Sequence, residues 1–94
     1  MTGSLSDEMV PMLARGVRLR GDQHRDATML LAPERALKLD PVAEAIIREI
    51  DGERSFAELV DRLEAVFDAP RDRIERDVRD FLLDMAGRGM MELS

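Results

Sequence analysis

The sequence predicts an α+β domain in which three short antiparallel strands precede a three-helix bundle. Three observations carry this expectation. Short runs before residue 40 are apolar or alternate between apolar and basic residues. Apolar residues recur at three- and four-residue spacing after it, and helix-capping residues punctuate that second part.

The elements follow in order. Residues 1–9 include Gly3, Ser4 and Ser6 and read as a flexible tail or linker, with the domain over 10–94. Residues 10–13 are short and apolar and are expected to pack on the domain edge. Val17, Arg18, Leu19 and Arg20 alternate with the period of a half-buried strand. A polar turn region over 21–26 leads to a second strand at 28–31. Pro33 presets the backbone of the turn into a third strand, Ala36, Leu37, Lys38 and Leu39. Strands this short need helices to cover them. Asp40 is a good N-cap and Pro41 suits the first helical position, where no amide donor is required. Val42, Ala43, Ile46, Ile47 and Ile50 form the first helical stripe, and Gly52 is placed to end the helix. Ser55 with Glu58 is a capping box for a second helix, whose stripe is Phe56, Leu59, Val60, Leu63 and Phe67. Pro70 starts a third helix with the stripe Ile74, Val78, Phe81, Leu82 and Met85, ending near Gly87 and Gly89. Residues 90–93 are extended and suit a last short strand.

The 94 residues, 45% apolar with only three aromatics, support one domain with an aliphatic core. No apolar run reaches the roughly 18 residues of a membrane span, and the start lacks a signal-peptide pattern, so a cytoplasmic location is expected. There is no cysteine, hence no disulfide or thiolate chemistry. The net charge of −6 is uneven: up to Asp40 six basic residues balance six acidic ones, and beyond it eight basic residues face fourteen acidic ones.

No catalytic constellation is present. His24 is the sole histidine and sits in a polar turn, where it reads as solvated; neighbouring carboxylates match no metal-site spacing. Ser55 is explained by capping, no serine lies in a nucleophile elbow, and Gly52, Gly87 and Gly89 lie at helix ends rather than in a phosphate loop. The chain is therefore expected to be no enzyme and to carry neither metal nor cofactor.

Three helices with a small sheet form a winged-helix-like arrangement, which raises nucleic-acid binding as an alternative. The third helix sets Arg71, Arg73, Arg76 and Arg79 against Asp72, Glu75, Asp77, Asp80 and Asp84, too acidic a face for a phosphate backbone. A second alternative is a generic interaction adaptor. Leu83 lies nearly opposite the apolar stripe of its helix and is expected to be exposed, where it could anchor a partner. The remaining feature is the open sheet edge, whose unpaired backbone groups can accept an extended peptide, or a second copy, as another strand.

Several segments together resemble one known family. They are Pro11, Met12, Leu13, Ala14, Arg15, Gly16, Val17, Arg18 and Leu19; then Leu30, Leu31, Ala32, Pro33, Glu34 and Arg35; then Leu39 and Asp40. Asp51, Gly52, Glu53, Arg54 and Ser55 follow, and Phe81, Leu82, Gly89, Met90 and Met91 close the pattern. The chain resembles the PqqD family of pyrroloquinoline quinone (PQQ) biosynthesis over nearly all of residues 10–93. The resemblance implies a peptide chaperone and leader-peptide recognition element. It would bind the ribosomal precursor peptide of the cofactor and present it to a radical-SAM enzyme of the same pathway. It also implies that residues 10–94 form a PqqD-like peptide-binding domain, with the preceding tail a linker to another pathway enzyme in fused forms.

In such domains the peptide pairs with the third strand and lies against the third helix. Carried onto this chain, the strand is Ala36, Leu37, Lys38 and Leu39, and the helix begins near Arg71. Ile74 and Val78 would form an apolar wall. Arg73 and Asp77 lie at one margin of the stripe and Arg71 and Glu75 at the other, and the choice of margin is open. Val78→Asp is expected to weaken peptide binding with the fold intact.

Overall fold

The computed structural model describes residues 5–22 and 27–94. His24 and residues 1–4 lie outside the described residues. Eight elements follow in order: β1 (Pro11–Leu13), β2 (Arg18–Asp22), β3 (Ala27–Ala32), β4 (Arg35–Leu39), α1 (Pro41–Glu49), α2 (Phe56–Glu64), α3 (Arg71–Gly87) and β5 (Met91–Leu93). The expected α+β architecture is present, with its antiparallel strands divided between two sheets.

The larger sheet has the order β2-β3-β4, and the smaller pairs β1 with β5. Residues 10–13 and 90–93, each expected to lie at the domain edge or to form a last strand, thus find each other. Val10 N donates to Ser94 O at 2.7 Å and Ala14 N to Met90 O at 3.1 Å, extending the ladder at both ends. Alternation alone could not reveal this pairing, because it joins opposite ends of the chain.

Register explains the alternation in the larger sheet. Leu19, Leu30 and Leu37 form one cross-strand row. Leu30 is fully buried and its two neighbours partly so. Arg18, Leu31 and Ala36 form a row on the opposite face, as do Arg20, Met29 and Lys38. Pro33 and Glu34 alone connect β3 to β4, since Ala32 pairs with Arg35. Gly16, at φ +81°, lies against this turn: a Cβ there would approach the Pro33 ring to 3.2 Å.

The helices start as their capping residues dictate. Asp40 Oδ1 accepts from Ala43 N at 2.7 Å. At α2, Ser55 N donates to Glu58 Oε1 at 2.9 Å and Glu58 N to Ser55 Oγ at 3.2 Å, a complete capping box. The next amides of α2 are satisfied from afar: Phe56 N donates to Met9 O at 2.7 Å and Ala57 N to Asp7 O at 3.1 Å. Residues 5–9, read from the sequence as part of a flexible tail, touch the domain there, and Leu5 and Met9 pack against the core.

The core joins all layers: Leu30 and Leu39 from the sheet, Ile46 and Ile47 from α1, Phe56, Leu59, Val60 and Leu63 from α2, Ile74, Val78, Leu82 and Met85 from α3, and Met90 and Met91. Four expectations shift. Val42, assigned to the α1 stripe, is 46% exposed. Phe67 lies beyond α2 and, like Phe81, is only partly buried. Leu83 is partly buried rather than exposed, because α3 is embedded more widely than a single stripe requires.

Candidate functional site

β4 is an edge strand: β3 occupies one side, and among the described residues no strand pairs with the other. Alternate backbone N–H and C=O groups of Ala36, Leu37, Lys38 and Leu39 therefore face outward without a ladder partner. Leu37 and Leu39 turn toward the core face, while Ala36 and Lys38 are exposed on the other.

α1 starts immediately past this strand, and a groove of about 280 Å³ opens between it and α3. Its lining comes from Val42 and Ile46 of α1, from Phe67, Asp68 and Ala69 of the α2–α3 connection, and from Arg73, Ile74, Asp77 and Val78 of α3. Ile74 and Val78 are only 4% and 2% exposed, so they form the floor. Val42 is the apolar rim residue. The expectation that Val78→Asp would spare the fold is therefore corrected: it would place a carboxylate in the core.

The structure separates the two margins of α3. Arg73 and Asp77 are on the groove side, 4.0 Å apart and 66% and 54% exposed. Such a solvated pair contributes roughly 0–1 kcal/mol, so either member can exchange its partner for another charge at little cost. Arg71 faces α2 instead. Its Nη1 lies 2.5 Å from Asp61 Oδ1 and also contacts Glu64, and its Nε is 3.2 Å from Glu75. Hydrogen bonds to Asp61 and then Glu64 hold its proton more tightly than in an ordinary guanidinium. Arg71 lies outside the groove lining and ties α3 to α2. Leu83 also lies outside it.

Further contacts fix α1 and the connection that follows it. The Thr28 hydroxyl on β3 donates to the Glu44 carboxylate on α1, docking α1 against the sheet. That bond, then those from Arg48, outweighs burial and lowers the Glu44 pKa. In the α1–α2 connection, Asp51 Oδ1 accepts from Glu53 N at 2.9 Å and Arg54 N at 2.8 Å, and Gly52 supplies φ +80°. The backbone bonds from Arg54 and then Glu53 lower the Asp51 pKa. Sequence reasoning missed Val42, Ile46, Phe67, Asp68 and Ala69 as groove residues, because a stripe pattern marks what is apolar and not where a groove opens between two helices.

Among the described residues, no group of three or more His, Asp or Glu side chains could hold a metal ion. Among the described residues, no helix is long and apolar enough to cross a membrane.

The profile of the family described as "Coenzyme PQQ synthesis protein D (PqqD)" matches residues 27–91. The chain belongs to the PqqD family. It is 44% identical over 89 residues to the PqqA binding protein of Rhizobium meliloti, covering 95% of this chain and 91% of that one. It is 38% identical to the PqqA binding protein of Xanthomonas oryzae pv. oryzae, covering 96% and 98%. Among solved structures, the PqqD truncation of Methylobacterium extorquens PqqCD superposes with TM-score 0.80 at 36% identity, over 98% of this chain and 99% of that chain. That PqqD structure is described as a functional, stand-alone recognition element for a ribosomally synthesized, post-translationally modified product (RiPP). TbiB1, solved in complex with the TbiA(beta) leader peptide, superposes with TM-score 0.74 at 26% identity, over 86% and 94%.

Proposed function

We propose that this PqqD-family chain binds the ribosomal precursor peptide of PQQ biosynthesis by strand addition to β4 and presents it to the radical-SAM enzyme of the pathway, acting as a peptide chaperone without catalytic activity of its own. The observation that carries this reading is the open edge of β4, which leads directly into α1, together with the apolar groove between α1 and α3. Main-chain hydrogen bonds along Ala36, Leu37, Lys38 and Leu39 supply affinity, and alternate side chains entering the groove supply specificity. Within the groove, Ile74 and Val78 are the floor, and Arg73 and Asp77 pair with peptide charges. Relatives are PqqA binding proteins, and one structural neighbour holds a leader peptide, which supports the same reading. A cytoplasmic location, expected from the sequence, accords with this role. The acid-rich helices argue against nucleic acid as the ligand.

Amide chemical-shift mapping with the precursor peptide tests this. Shifts are expected to concentrate on residues 36–39, the first turn of α1 and residues 73–78. Shifts confined to other surfaces, or no binding, would overturn the assignment.

A further inference from the structure

We propose that β4 selects a peptide carrying an acidic side chain beside Lys38 on the outer face of the sheet, with apolar neighbours on either side pointing into the α1–α3 groove, so that Lys38 fixes the register of the bound strand. The proposal rests on the strand-addition reading above and adds to it which sequence pattern is accepted.

The argument begins with the outer face of the larger sheet. The row Arg20–Met29–Lys38 lies beside the row Arg18–Leu31–Ala36. Arg18, Arg20 and Lys38 are exposed, whereas Met29 and Leu31 are partly buried. The ion pairs among the described side chains lie between residues 44 and 88, and none of those engages these three cations. The chain carries −6 overall, with the excess acid entirely beyond residue 40. Among the described side chains, the charges on the outer sheet face are thus basic, on an acidic protein.

A strand added to β4 inherits the alternation of the sheet. A peptide residue opposite Lys38 points outward, its Cβ about 5 Å from that of Lys38. Its two neighbours point to the other face, the side of Leu37 and Leu39, from which β4 runs directly into α1 and its groove residues Val42 and Ile46. A slip by one residue exchanges the faces. The acidic side chain would then enter an apolar groove whose rim carries Asp68, Asp77 and Arg73, a net charge of −1 with Arg73 already facing Asp77, while an apolar one would sit among the cations. Lys38 on β4 and the apolar lining with its net negative rim therefore both disfavour the slipped register. The same lysine disfavours a second copy as occupant, since two β4 edges paired about this position would oppose Lys38 to Lys38.

The test uses the full chain and the precursor peptide, with calorimetry for affinity and amide shifts for location. Lys38→Gln is expected to weaken binding by about two- to fivefold and Lys38→Glu by more, with the wild-type affinity falling more steeply with salt than that of Lys38→Gln. Replacing the acidic residues of the peptide by lysine one at a time should give one variant whose binding recovers with Lys38→Glu. Binding at β4 with affinity indifferent to Lys38→Glu, or no rescuing peptide variant, would overturn the proposal and leave the strand-addition reading standing. Absence of shifts at β4 in the wild type would overturn both.

Discussion

The Arg54 guanidinium donates to the carbonyl oxygen of Glu49 at 2.8 Å, reaching back across the connection it belongs to. It also lies 3.5 Å from the Glu49 carboxylate and 3.6 Å from that of Asp51. One side chain thus closes the end of α1 while the next residue, Ser55, opens α2. Arg54→Ala should lower stability by about 1–2 kcal/mol, since a charge-assisted bond to a helix-end carbonyl is lost at a partly exposed site. Thermal unfolding would register this as a drop of several degrees. An unchanged midpoint would mean that solvent replaces the bond without loss.

Val42 and Val78 line the same groove at different depths, which makes them a discriminating pair. Val78→Asp should destabilise the domain by on the order of 4 kcal/mol, because an unpaired carboxylate would enter the core. Val42→Asp should leave the unfolding midpoint nearly unchanged and weaken peptide binding about tenfold or more. Denaturant melts read beside calorimetric titrations would separate the two effects.

Arg71→Ala should weaken the α2–α3 contact and leave the affinity for the precursor peptide within about twofold. Arg73→Ala should do the reverse. This follows from the guanidinium of Arg71 being engaged by Asp61, Glu64 and Glu75 while the Arg73–Asp77 pair is open to exchange. Equal losses of affinity from both variants would mean that the two margins act together.

Asp51 and Glu44 both have lowered pKa values, through hydrogen bonds that the unfolded chain lacks. A carboxylate whose folded pKa is depressed contributes stability that is fully present above its unfolded pKa and is lost as pH falls through the folded one. Stability should therefore be level above about pH 5 and decline below about pH 4. Asp51→Asn and Glu44→Gln should each flatten that decline, which acid titration followed by circular dichroism would show.

Much of this arrangement is legible in the sequence because local rules act alone there. Asp40, Pro41, Ser55 and Glu58 mark the helix starts through bonds spanning three residues, and the Leu19, Leu30 and Leu37 positions follow from alternation. What the sequence hides depends on distant partners. Nothing near Asp7 or Met9 signals that their carbonyls cap α2, and nothing in the α3 pattern distinguishes Arg71 from Arg73. Only the approach of α2 on one side, and the divergence of α1 on the other, tells these two arginines apart.

The pairing of Pro11 with Leu93 has a kinetic meaning. Bringing together segments so far apart in the chain costs more loop entropy than closing any hairpin, so the β1–β5 ladder should be late to form. The β2-β3-β4 meander and the helical hairpins need only neighbours in sequence. During synthesis the open-edged strand β4 can be in place while residues 91–93 are still to be added. Pulse-labelled hydrogen exchange during refolding should find β3 and β4 amides protected before those of residues 91–94.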